Sequence, residues 1–252
     1  MVRTFKPIAG LAAASLLALA GCDDFTVTSS SDGVPLDQLD MGGSVPTELT
    51  LAGVDDVKIV EGDVFDVQVT GSEAALSQLR FEREGDRLSI GRDGKWRSGD
   101  GKATITVTMA APTAIEVAGA GTVEAASLAR EASVEAVGAA EANLTGVDAD
   151  TLDVQAVGAS TVSMSGKAKS LSLDVAGASK ARMASLVADE VNADIVGASS
   201  AVLGSNGTVK ADVAGASSLE VRGSAQCEGA AVGASSFKCG AKTQASPAAK
   251  KD

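Results

Sequence analysis

The sequence predicts an all-β chain wound as a parallel β-solenoid of about 18–20 residues per coil, and three observations predict it. The first is a phrase written seven times: "VAGAG", "AVGAA", "AVGAS", "VAGAS", "IVGAS", "VAGAS" and "AVGAS". The second is its period. The central glycines are Gly119, Gly138, Gly158, Gly177, Gly197, Gly215 and Gly233, a spacing too short for a helix pair and suited to one coil of a solenoid. The third is alternation on both sides of each glycine. Six residues before it stand Thr113, Ala132, Leu152, Leu171, Val191, Val209 and Cys227. Six after it stand Ala125, Leu144, Met164, Met183, Leu203, Val221 and Cys239. Even offsets are nearly all apolar and the odd offsets −3 and −5 mostly polar, which is a strand pattern repeated in register.

Successive coils therefore stack strand on strand and share continuous apolar columns, because no coil of this size buries its own face. Around each glycine the alternation breaks, and Ala always follows. The "GA" pair reads as the bend between two strands of a coil, with Gly supplying a positive φ or bulge geometry. Ser follows in the last five copies, at Ser160, Ser179, Ser199, Ser217 and Ser235, and reads as a hydroxyl ladder serving the backbone at that bend.

Upstream, residues 46–112 form a strand-rich opening to the same domain, 46–240. "VKIV", "VFDVQVT", "RLSIGR" and "ATITVTM" alternate with period two, "EAALSQL" reads as one short helix, and "GRDGKWRSGDGK" as a Gly-rich polar loop. Residues 22–45 read as an acidic tether and 241–252 as a disordered tail.

Composition bounds the chemistry. Among 252 residues there is no His and no Tyr, aromatics are 2%, and the net charge is −12. Without His the commonest general base is missing, and without a basic stripe nucleic acid is an improbable partner. The chain reads as non-enzymatic, with no cofactor and no metal centre. The first 21 residues have a positive n-region (Arg3, Lys6), a short apolar run and then "LAGC", which resembles the lipobox of bacterial lipoproteins. The resemblance implies cleavage before Cys22, lipidation of its thiol, and an anchor in the cell envelope, on the periplasmic side of the inner membrane or on the outer membrane. Asp23 resembles an inner-membrane retention signal of enterobacterial lipoproteins.

The remaining cysteines, Cys227 and Cys239, fall in the inward columns of the last coil. They are read as one disulfide stapling a coil with no further neighbour, or else as two buried thiols. At offset −3 the acids Glu116, Glu135, Asp174, Asp194 and Asp212 should form an outward ladder, broken by Gln155. It reads first as a solvated face that keeps the sheet soluble, and second as a site for Ca²⁺ or a cationic surface. Trp96, between Lys95 and Arg97, reads as a cap over the open end of the solenoid, or as an exposed ring stacking on a sugar or resting at a headgroup interface.

"VKIVEGDVFDVQVTGSEAALSQL", then "ITVTMAAPTAIEVAGAG", then the serial "GAS" phrases resemble bacterial envelope proteins of the GIN-domain family, the head domain of autotransporter-type adhesins. The resemblance spans roughly residues 48–240 and implies a parallel β-solenoid. Family members often write "SGAG" where this chain has "AGAS". The family has no established catalytic residues to carry over. The expected function is that of a lipid-anchored envelope protein, adhesin-like or surface-structural, whose partners are the membrane and an envelope glycan or protein. The competing reading is a carbohydrate-binding or carbohydrate-active β-helix module.

Overall fold

The computed structural model describes residues 33–94, 97 and 99–240. Residues 1–21, read above as a signal peptide, together with Cys22, Trp96 and residues 241–252, lie outside the described residues. The repeat half is a parallel β-solenoid of about seven turns, as the column alignment requires. Its strands are β7 (Ala114–Gly119), β8 (Thr122–Ala125), β9 (Glu131–Gly138), β10 (Glu141–Gly158), β11 (Thr161–Gly177), β12 (Lys180–Gly197), β13 (Ser200–Gly215), β14 (Ser218–Arg222), β15 (Gln226–Gly233) and β16 (Ser236–Cys239). The register is one-to-one along the stack: Leu152, Leu171, Val191, Val209 and Cys227 are successive partners. The first four are essentially inaccessible. Each such side chain contributes about 1.5–3 kcal/mol by leaving water.

Every coil has two long sheets meeting at the "GA" corner, which we call the leading sheet (before the glycine) and the trailing sheet (after it). A short third side closes the coil. It is entered at a second corner, where the register shifts, for example between Leu144 and Val147. Gly146, with φ +69°, marks this second corner in β10.

The first corner repeats one hydrogen-bond scheme. The N–H of the Ala donates to the carbonyl of the corner Gly one coil earlier: Ala178 to Gly158, Ala198 to Gly177 and Ala216 to Gly197, each at 2.7 Å. Two residues on, Lys180 donates to the Ser160 carbonyl at 2.9 Å and Ser200 to that of Ser179 at 3.0 Å. The ladder thus turns the corner without losing a bond. The glycine makes this approach feasible. At Gly197 φ is +97°, and a Cβ there would sit 2.5 Å from the Gly177 carbonyl oxygen.

The opening segment holds a coil that its sequence did not announce. Strands β1 (Glu48–Gly53) and β2 (Asp56–Glu61) are one storey of the solenoid, with Gly53 directly under Gly119 in the corner column. A storey beneath it comes from later in the chain: β5 (Arg87–Arg92) pairs in parallel with β1, and β6 (Thr104–Met109) with β2. The stack order therefore departs from the chain order, since β1–β2 is slotted between β5–β6 and β7–β8.

Two antiparallel strands cover this end. Strand β3 (Asp66–Thr70) lies on β6 and β4 (Leu79–Glu84) on β5, with α1 (Glu73–Gln78) between them. Ser72 caps α1 by accepting the Ala75 N–H at 3.1 Å, the usual way an orphan donor at a helix start is satisfied. The tether expected over 22–45 ends earlier than its composition indicates. Val34 exchanges two backbone hydrogen bonds with Phe81, both at 2.8 Å, and Leu39 is buried against the cap. Arg83 donates to the carbonyls of Gly42 and Ser44 and stacks over the Phe65 ring at 5.2 Å.

The corner geometry predicts a position-specific cost. Gly197→Ala should lower stability by at least the ~1–3 kcal/mol typical of a strained backbone position. Gly85→Ala, at φ +60° with open space around the new Cβ, should cost less. Urea unfolding followed by circular dichroism measures both, and equal midpoints would contradict the corner account.

Candidate functional site

Parallel in-register pairing turns each outward offset into a column, with rungs ~4.8 Å apart. On the leading sheet, offset −3 runs Thr50, Glu116, Glu135, Gln155, Asp174, Asp194, Asp212 and Ala230, each the register partner of the next. The structure therefore aligns Glu116, Glu135, Asp174, Asp194 and Asp212 in one row. None of the five forms an ion pair among the described residues. Thr50 donates weakly to Glu116 at 3.4 Å. Gln155 puts a neutral amide between the two acidic runs.

The neighbouring column at offset −1 carries exposed Val157, Val196 and Val232. Two carboxyls of the row are shifted. Glu135 is held above the ordinary carboxylate range, first by desolvation and then by the charge of Glu116. Asp174 is raised by desolvation and then by Asp194 and Asp153. One carboxylate per rung, all projecting the same way, makes a row rather than a cage. No group of three metal-ligating side chains converges among the described residues.

The corner serines spend their hydroxyls on the backbone. Ser179 donates to Ala176 O at 2.9 Å, Ser199 to Val196 O at 3.0 Å and Ser235 to Val232 O at 2.6 Å. Asp55 stands in the same column, two residues after Gly53. Its carboxylate is 1% exposed and accepts Arg92 Nε at 2.8 Å and the Ala103 N–H at 2.8 Å. This buried pair ties two storeys and the loop after β5 together. Sequence reading missed it because Gly53 had not been placed in the glycine column.

The loop that contains Trp96 is fastened at Asp100, which accepts the Arg97 N–H at 2.9 Å and Gln78 at 3.2 Å. On the third side, basic residues that looked scattered converge: Lys169 meets Asp150 at 2.6 Å, Lys167 meets Asp148 at 3.4 Å, and Arg130 lies 3.6–3.7 Å from both acids. The trailing sheet carries a trench lined by Arg182 and several hydroxyls, a second feature the sequence did not single out. Its signal was the column at offset +5, which alternation marks only as polar.

Cys227 and Cys239, 6.2 Å apart between Cα atoms, are joined as a disulfide across the last coil. At a sequence separation of 12, the bridge restrains a coil that, among the described residues, is paired on one side only.

The profile described as "Putative auto-transporter adhesin, head GIN domain" matches residues 46–225. The chain belongs to this GIN-domain family. Solved structures show the same fold. A "putative adhesin" from Bacteroides fragilis superposes with a TM-score of 0.71 at 18% identity, covering 78% of this chain and 92% of that one. A "putative lipid binding protein" from Parabacteroides distasonis gives 0.61 at 14% identity, covering 78% and 93%. A "putative adhesin" from Parabacteroides merdae gives 0.60 at 15%, covering 78% and 92%. No curated protein matches the chain. The bridged coil, residues 226–240, lies beyond the matched part of the GIN domain.

The acidic row makes a signed prediction. A carboxyl whose folded pKa is raised binds its proton more tightly in the native state, so its contribution to stability is present at low pH and is lost as pH rises through the carboxylate range. Asp194→Asn should therefore bring the Asp174 pKa down towards its ordinary value. It should also raise stability at neutral pH, with the gain vanishing in acid. NMR titration of side-chain carboxyls and pH-resolved thermal unfolding test this. An unmoved Asp174 would show that the rungs do not sense one another.

Proposed function

We propose that the chain is an exported, lipid-anchored, non-enzymatic protein of the bacterial envelope that works as an adhesin-like binding rod. The observation that carries this reading is the in-register stacking of the coils, which sets the outward side chains of the leading and trailing sheets in columns. Such a surface repeats a weak contact many times at fixed spacing, and repeated contacts on a rigid support add up as linked binding events do. The interior supports the same view. It is filled by Leu, Val, Ile, Ala and Met from successive coils, so a ligand is held outside the solenoid.

The lipobox-like "LAGC" before Asp23 supports attachment through Cys22, and the likeness to a family and to two solved structures described as "putative" adhesins supports the adhesin-like role. The chain has no His, and the acids of the leading sheet form an open row, where carboxylate catalysis needs two acids facing one bond across a cleft. Carbohydrate binding is the second reading, and the trench on the trailing sheet favours it.

The anchor and the role are tested together. In cells expressing the full chain, Cys22→Ala should move the protein from the membrane to the soluble fraction and abolish incorporation of a radiolabelled fatty acid. Deleting the gene should reduce adherence to mucin-coated surfaces by severalfold, with restoration by the wild-type chain only. A wild-type chain that takes up no labelled fatty acid, or a Cys22→Ala protein that still does, would contradict the anchor, and unchanged adherence after deletion would contradict the role.

A further inference from the structure

The trailing sheet carries a site of a different character from the acidic row. Two recesses lie on it, of about 390 and 290 Å³, and both are lined by Asn143 and Thr145. They are therefore one trench that runs across the strands, along the solenoid axis. Its line is the column at offset +5, where Lys58, Glu124, Asn143, Ser163, Arg182, Val202 and Glu220 are successive register partners, with Arg222 beside Glu220. From Lys58 to Arg222 the trench crosses six coil spacings, roughly 29 Å at the usual strand separation.

We propose that this trench binds an extended, carboxylate-bearing saccharide laid along the solenoid axis; this deepens the binding-protein reading above and rests on it. Four features carry the assignment. Half-buried Ala184 and Val202 give the recess an apolar wall, above the inward-facing Leu144 and Met164, and this wall suits the C–H face of a sugar ring. The walls hold Thr145, Ser163, Ser165 and Ser185, whose hydroxyls make no side-chain hydrogen bond within the described protein. The corner serines contrast with them: Ser160, Ser179, Ser199 and Ser235 all donate to backbone carbonyls. The same residue type closes the backbone at one corner and faces an open channel at the other.

The third feature is charge. Arg182 is exposed and has no ion-pair or hydrogen-bond partner among the described residues, in a chain of net charge −12. Arg222, at one end of the trench, is oriented by Glu220 through Nε at 2.8 Å. A guanidinium fork matches a carboxylate bidentately, so Arg182 fixes the acidic group while the hydroxyls take ring oxygens and alcohols. Lys58 and Glu124 at the other end give a mixed row, which suits a ligand with sparse charge better than a polyphosphate. The fourth feature is the backbone. Between coils its N–H and C=O groups are committed to the ladder, so a peptide cannot add as a strand here and only side-chain recognition is available.

The experiment is calorimetric titration of the detergent-solubilised full chain with three probes: oligogalacturonate, its methyl ester, and poly-glutamate of similar length. The proposal expects saturable binding of oligogalacturonate, weakened at least tenfold by methyl esterification and at least tenfold by Arg182→Ala. Ser163→Val should weaken it severalfold, and Glu190→Gln, outside the trench, should leave it unchanged. No saturable oligogalacturonate binding, equal binding by Arg182→Ala, or equal binding of poly-glutamate would each overturn it. Failure here with adherence intact removes the trench alone. Adherence that is unchanged by deletion of the gene, with trench binding intact, removes the role proposed above and leaves the trench.

Discussion

The hydrogen bond from each corner alanine to the corner glycine of the coil before it sets the geometry on which the rest of the molecule depends. It forms at 2.6–2.8 Å in every storey from Gly53 upward. It requires a backbone that bends at positive φ, and it leaves no room for a Cβ beneath the next carbonyl. Once it is made, the coils are locked at one spacing and in one register. Side chains on either side of the bend can then point only inward or outward, and each falls over its own copy.

That lock explains the odd composition. A core with few aromatics has no bulky filler, so it must be thin, and thin layers need close and regular stacking. Within the columns, volume is traded between neighbours: from the fourth to the fifth repeat, Leu173 gives way to Ala193 while Val175 gives way to Ile195, two positions along the same face. The same regularity creates the outer faces. A row of acids is the direct consequence of writing an acid at the same offset in successive repeats, and the raised carboxyls of Glu135 and Asp174 show that the row carries an electrostatic cost. The trailing sheet uses the same device with mixed polar groups and a recessed floor.

The sequence revealed most about this half of the chain. Seven glycines 18–20 residues apart, with Leu171, Val191 and Val209 at one offset, were enough to place the coils, the corner and the outward acids. The opening was legible only as strands. Its corner reads "AGVDD", without the alanine that follows the glycine in all the others, so the match of Gly53 to Gly119 was hidden, and with it the buried Asp55–Arg92 pair. The slotting of β1–β2 between later strands was also invisible, because alternation says that a strand exists and nothing about which strand lies beside it. The trench escaped notice for a related reason. Thr145, Ser165 and Ser185 lie at the second corner, where the register shifts, and a fixed offset from the glycine no longer names a fixed place.

The most direct test of the central claim is amide hydrogen exchange, resolved by NMR, at Ala139, Ala159, Ala178, Ala198 and Ala216. These residues are solvent-exposed at a bend, where amides ordinarily exchange fast. The corner bond predicts that all five are as protected as the buried strand amides of Leu171 and Val191, in one cooperative unit. Exchange as fast as that of the exposed turn at Gly85 and Asp86 would contradict it, and the register of the coils would need another cause.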